Sequence, residues 1–152
     1  MAQFRLEILT PSRRLLAEPA ESVIFETWDG QMQVLAGHEA LVVPVRPCVA
    51  RIEGTDGRSA AFLAGGFATI TPEKVEMFVD SAEWPEEIDR DRAAKALERA
   101  ESRLKSETVA WMIARSKAAA ARASARISAY DLRGGQSSAS SAGMTESGSV
   151  RT

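Results

Sequence analysis

Histidine and cysteine are nearly absent from this chain, each occurring once, as His38 and Cys48. A lone cysteine rules out an intramolecular disulfide framework and fits a reducing compartment. One histidine and one cysteine do not make a conventional zinc site, and no Ser-His-Asp grouping can be argued beyond the presence of the residue types. The sequence also lacks a glycine loop ending in Lys-Ser or Lys-Thr, the signature of a phosphate-cradling ATPase loop. No stretch approaches the roughly 20 apolar residues needed to span a bilayer. The first residues, from Met1 to Ile8, hold neither a continuous apolar core nor an arginine- and serine-rich leader, which predicts a cytosolic protein. Neither charge dominates: 19 lysines and arginines against 21 aspartates and glutamates leave a net charge of -2. Nothing global therefore argues for nucleic acid or a polybasic membrane anchor.

What is present is enough apolar side chain, 45% of 152 residues, for one or two small domains. From Phe4 to about Asp80 the pattern is short strands and turns. Phe4, Leu6 and Ile8 alternate with Arg5 and Glu7 in a half-buried strand that ends at Thr10-Pro11-Ser12. A second run, Arg14 to Ala17, is expected to stop at Pro19. Val23 to Trp28 and Gln31 to Leu35 flank Asp29-Gly30, and Val49 to Glu53 and Arg58 to Leu63 flank Gly54-Thr55-Asp56-Gly57, a good hairpin signal. Gly65-Gly66 predicts a bulge or a close backbone approach, and Phe67 to Thr71 and Val75 to Val79 form a last hairpin around Pro72. Many short strands at near-regular spacing predict an antiparallel β-sandwich of about ten strands over residues 1–84.

Near Pro85 the apolar period changes from two to about three and a half. Ala93, Ala96, Leu97, Ala100 and Leu104 fall on one helical stripe, and Trp111, Ala114, Ala118, Ala121 and Ala125 repeat the spacing beyond a polar turn at Lys105 to Thr108. An α-helical hairpin over residues 85–133 follows, with Asp89 placed to cap its first helix. A buried methyl contributes only about 0.8 kcal/mol, so this hairpin is weakly fastened and must lean on the sandwich. From Gly134 to Thr152 the composition is glycine- and serine-rich, which predicts a disordered tail.

A sandwich followed by an alanine-rich hairpin, with Ile88-Asp89-Arg90-Asp91-Arg92-Ala93 at the junction, resembles the epsilon subunits of bacterial F-type ATP synthases. The resemblance covers Phe4 to Leu132 and extends to Gly37-His38, Leu63-Ala64-Gly65-Gly66-Phe67 and Val75 to Asp80 leading into Ser81-Ala82-Glu83. The chain departs from the family pattern at Gln33, Ala40 and Cys48, in loops that in the family face the gamma subunit and the c-ring. The resemblance implies a non-catalytic central-stalk subunit on the cytoplasmic face of the bacterial inner membrane, peripheral and held there by its complex. Its implied partners are gamma, the c-ring and the catalytic beta subunits, with Gly30 and His38 at gamma or c-ring contacts. It further implies a hairpin that leaves the sandwich and restrains ATP hydrolysis in a proton-translocating machine.

Arg115, Arg122, Arg126 and Arg133 are separated by seven, four and seven residues and share a helix face. That face reads either as a solvated charged surface or as a stripe for carboxylates or phosphates. The resemblance assigns it to acidic loops of the beta subunits. In some family members the junction motif also holds a regulatory, unhydrolysed ATP, here implied at Glu83, Ile88, Asp89, Arg92, Ala93, Arg99, Arg122 and Arg126. No cofactor is otherwise required. The residues alone leave Asp89 open as a simple cap and Arg92 as a partner along its own helix. Trp28, Trp84 and Trp111 read as core or interface residues, with Trp84 placed to clasp the hairpin. The rival reading is a free-standing sandwich carrying a helical adaptor for protein contacts.

Overall fold

The computed structural model describes residues 2–140, with side chains described to Arg133. Nine strands precede two helices: β1 (Phe4–Leu9), β2 (Arg14–Thr27), β3 (Gly30–Leu35), β4 (Leu41–Val45), β5 (Cys48–Gly54), β6 (Gly57–Leu63), β7 (Gly66–Ile70), β8 (Lys74–Val79) and β9 (Ala82–Glu83), then α1 (Arg90–Ser106) and α2 (Ala110–Ser140). A single 3-10 turn, Pro85–Glu87, joins the two parts.

The sandwich is organised by β2, which belongs to both layers. Its first half pairs antiparallel with β1, and β1 leads through β8 and β7 to β4. Its second half pairs with β3 on one side and β5 on the other, and β5 leads through β6 to β9. Pro19, expected to end a strand, lies inside this one. Arg5, opposite Pro19, gives its amide to the Glu73 carbonyl at 2.9 Å, away from β2, so β1 asks no ladder bond of the proline nitrogen. The register shift between Ala20 and Ser22 then turns the strand into the second layer.

Residues spaced by two fill the space between the layers: Phe4, Leu6 and Ile8 from β1, Val23 and Phe25 from β2, Val75, Met77 and Val79 from β8. β6 breaks that alternation, because Ala60, Ala61, Phe62 and Leu63 are all buried. Leu63 joins the sandwich core, while Phe62 turns outward into a second cluster with Ala64, Ile88, Ala125 and Ala129. A continuous apolar run marks a strand covered on both faces, and what covers β6 is α2, lying against β5, β6 and the 3-10 turn.

The predicted glycine positions are explained by backbone. Gly57 (φ 116°) closes the β5–β6 hairpin. A Cβ on Gly66 would stand 2.0 Å from the Phe78 carbonyl oxygen, which no side chain permits.

The hairpin forms, but its second seam matches the predicted one only at buried Ala125 and half-buried Ala121. α1 buries Ala93 and Ala100, as its stripe implies. On α2 it is Ser116, Ala123, Ala125 and Ala129 that are buried, whereas Trp111, Ala114 and Ala118 are exposed. Between Ala114 and Ala125 seven residues are alanine, so spacing cannot select a face. The half-buried Ile113 and Ile127 do so instead. α2 also continues through Gly134 and Gly135 to Ser140, past the expected end at Arg133. Glycine weakens a helix by about 1 kcal/mol per residue without forbidding it. The rest of the tail, residues 141–152, lies outside the described residues.

Candidate functional site

The chain between β9 and α1 builds one wall of a cleft, and the middle of α2 builds the other. Pro85 sets the entry to the 3-10 turn, and Asp89 ends it by capping α1, its carboxylate accepting from the Arg92 amide at 3.1 Å. Ile88, between them, is pushed into the cluster with Phe62, Ala125 and Ala129. That apolar peg holds the junction against both β6 and α2. Around it opens a cleft of about 520 Å³ lined by Glu83, Glu87, Asp89, Arg92, Ala93, Ala96, Arg99 and Arg126.

Three carboxylates and three guanidiniums line it, and most of the carboxylates are already engaged. Arg126 Nε donates to Glu83 Oε1 at 3.1 Å, and its guanidinium lies 4.5 Å from the centre of the Phe62 ring. Glu87 pairs with Arg13 of the β1–β2 turn, whose Nη2 also donates to the Ala82 carbonyl at 3.0 Å. The Glu87 hydrogen bond raises the Arg13 pKa. At the far end of the hairpin base, Arg90 Nε donates to Asp131 Oδ1 at 3.0 Å, a bond that raises the Arg90 pKa and ties the start of α1 to α2. Arg92 and Arg99 form no ion pair among the described residues. The cleft therefore keeps two uncommitted guanidiniums two turns apart on one face of α1, with small Ala93 and Ala96 between them, a shape suited to an oxyanion-bearing ligand.

Of the eight residues expected at the nucleotide position, six line this cleft: Glu83, Asp89, Arg92, Ala93, Arg99 and Arg126. Ile88 is buried beside it and acts through packing. Arg122 lines a different cleft nearer the hairpin tip, with Arg103, Trp111 and Arg115. No local signal points to Arg13 and Glu87 here, since the two are joined only by the fold across 74 positions.

The four-arginine stripe is divided by the fold. Arg115 and Arg133 are exposed and Arg122 half-buried, while Arg126 is turned inward onto Glu83 and Phe62. Gly30 sits at φ 127° in the β2–β3 turn, and the half-buried His38 places Nδ1 2.8 Å from the Glu39 carbonyl in the loop before β4. Trp28 is 68% exposed beside Gly30, with Arg46 packed 5.6 Å from its ring centre. Trp111 is 64% exposed, so both lie outside any core. Trp84 faces a groove lined by β2 and the β5–β6 turn instead of the hairpin.

Two family models cover nearly the whole described chain in this same order. ATP synthase, Delta/Epsilon chain, beta-sandwich domain matches residues 3–85, and ATP synthase, Delta/Epsilon chain, long alpha-helix domain matches residues 86–131. The chain belongs to the ATP synthase delta/epsilon family. The ATP synthase epsilon chain of Ruminiclostridium cellulolyticum is 46% identical over 133 residues, covering 88% of this chain and 99% of that one. That of Caldicellulosiruptor saccharolyticus is 43% identical over 105 residues, covering 68% and 76%. Among solved structures, a chain of the Euglena gracilis mitochondrial ATP synthase (OSCP, F1 and c-ring) superposes with a TM-score of 0.73 at 29% identity, covering 90% of this chain and 82% of that one. A chain of the Tetrahymena thermophila enzyme shares the fold, with a TM-score of 0.58 at 13% identity and coverage of 85% and 97%. Within this delta/epsilon fold, no helix among the described residues is long and apolar enough to cross a membrane.

Proposed function

We propose that this chain is the non-catalytic epsilon subunit of a bacterial F-type ATP synthase, fixed to the rotor by its sandwich and regulating hydrolysis through its hairpin. The observation that carries this reading is the division of labour between the two sandwich faces. α2 covers the outer face of β5 and β6. On the opposite layer, Pro44, Phe67, Phe78 and Leu9 stand directly across from one another on β4, β7, β8 and β1. Phe67 and Phe78 stack with ring centres 5.1 Å apart, yet they remain 48% and 36% exposed, and Val42 beside them is exposed as well. A contiguous apolar row on a soluble face marks a protein contact. It supports gamma as the lasting partner, because torque needs a packed interface. The exposed Trp28 and Gly30 turn supports the c-ring contact.

The hairpin's fastening supports the regulatory half of the reading. Its contact with the sandwich rests on Ala125 and Ala129 against Phe62 and Ala64, with Ile88 between. Each alanine methyl is worth about 0.8 kcal/mol, so the apolar seam holds the docked hairpin only weakly, and the Arg126 pair with Glu83 adds to it. Release would free Arg126 to join Arg115, Arg122 and Arg133 toward acidic loops of the beta subunits. ATP in the cleft of Arg92, Arg99 and Arg126 would oppose release: at ten times its dissociation constant it favours the docked form by about 1.4 kcal/mol.

Co-purification tests the assignment. Phe67→Ser with Phe78→Ser keeps both inner sandwich faces intact and is expected to abolish recovery with gamma, while undiminished binding would overturn the proposed interface. An adaptor with no rotary complex would be recovered without gamma or beta even in its native form.

A further inference from the structure

A second cleft, on the other side of α2 from the first, opens between the helix and the sandwich and has a volume of about 350 Å³. It exists because the α2 side chains over it are small, Ala121, Ala125, Ser124 and Ser128, and cannot fill the space down to β5. Its floor carries two guanidiniums, Arg46 just before β5 and Arg51 within it. Arg51 is in no ion pair among the described residues. Arg46, its side chain 42% exposed, is opposed by Glu26 of the same lining at a loose 3.9 Å, too long for a hydrogen bond, and its guanidinium makes no hydrogen bond among the described residues. Glu26 is the one carboxylate of the lining, set against two guanidiniums, and Cys48 adds no second anion, since burial pushes its thiol up to about 11.

We propose that this seam binds a phosphate-class oxyanion, held by Arg46 and Arg51 from the sandwich and by the hydroxyls of Ser124 and Ser128 from α2. Guanidinium forks suit tetrahedral oxyanions, and serine hydroxyls four residues apart lie on one helix face toward them. Bound there, the anion ties α2 to its base, so the docked hairpin responds to phosphate independently of the cleft that contains Arg92 and Arg99.

Trp28 supplies a local reporter, because the Arg46 guanidinium packs on its ring. In the full chain carrying Trp84→Phe and Trp111→Phe, inorganic phosphate is titrated at ionic strength held constant with chloride. A saturable change in Trp28 emission is expected, with the half-saturation point raised about tenfold or more by Arg51→Gln and unchanged by Arg92→Gln. A parallel titration with glycerol phosphate separates the sources: tighter binding than inorganic phosphate assigns the site to phosphate esters, and weaker binding to the free ion. No saturable change with either probe, or one that Arg51→Gln leaves intact in a variant of unaltered thermal midpoint, overturns the proposal. Loss of an ATP response on Arg92→Gln with the phosphate response retained keeps the two sites distinct.

Discussion

Replacing Arg126 by methionine tests how the hairpin is held. Methionine keeps the apolar stem that packs against Phe62 but removes the guanidinium. Two interactions go with it. One is the pair with Glu83, whose two side chains are 29% and 26% exposed, a setting in which an ion pair contributes about 1 kcal/mol after solvent screening. The other is the guanidinium's approach to the Phe62 ring at 4.5 Å, worth about 1 kcal/mol when partly desolvated. The combined loss of about 2 kcal/mol corresponds to a roughly thirtyfold shift toward the released hairpin. Native-state hydrogen exchange reads this through the released state, because α2 without its packing is a marginal helix whose amides at Ala123, Ala125 and Ala129 open and exchange in proportion to the released population. Their exchange is expected to accelerate about thirtyfold while Phe25 and Val34 in the sandwich core stay unchanged. Glu83→Gln, which leaves the cation on the ring, should give about a fivefold effect, and combining it with Arg126→Met should add nothing. Equal acceleration in α2 and in the sandwich core would refute the reasoning, since hairpin and sandwich would then open as one unit.

Other substitutions probe the remaining parts. Gly66→Ala forces a Cβ against the Phe78 carbonyl and is expected to destabilise the sandwich by about 3 kcal/mol or more in denaturant unfolding. Asp89→Ala removes the cap on Arg92 N and should cost about 1 kcal/mol, seen as fraying of the first turn of α1 by amide exchange. Cys48, buried with its thiol raised by desolvation to about 11, should resist alkylation at pH 8 in the folded chain and react readily once unfolded. The hydrogen bond from Arg5, opposed by burial and reinforced by Lys74, holds the Glu7 carboxyl below the usual range. Its stabilisation is therefore present above the unfolded carboxylate pKa and lost as pH falls through the folded value. Glu7→Gln should accordingly be less stable than the parent near neutrality, with the difference closing in acid-unfolding curves.

Local signals in the sequence located most strand ends, the junction and the Asp89 cap, because each is set within a few residues. Pro19 misled for the opposite reason: whether a proline ends a strand depends on which way the neighbouring strand aims its amide, and Arg5 aims it at Glu73. The inner face of α2 was illegible where alanine follows alanine, and only Ser116 and the two isoleucines separate one side from the other. The helix outlasts Arg133 because glycine only lowers helix stability. The candidate cleft was legible in part through its junction motif, which supplies Asp89, Arg92 and Ala93 to the lining. Its Arg13–Glu87 tie, the displacement of Arg122 toward the hairpin tip and the phosphate seam are products of tertiary packing. The run Ala60 to Ala64 did carry a signal of the covered β6 face, since a strand exposed on one side would have alternated.

The proposed regulation requires a hairpin that leaves its sandwich inside the assembled synthase. Spin labels at the exposed positions Thr55 in the β5–β6 turn and Ala118 on α2 report that separation by pulsed dipolar distance measurement in the complex. Two distance populations are expected, with ATP enlarging the one that matches the docked chain. A single docked distance, unchanged with and without nucleotide and during hydrolysis, would contradict it.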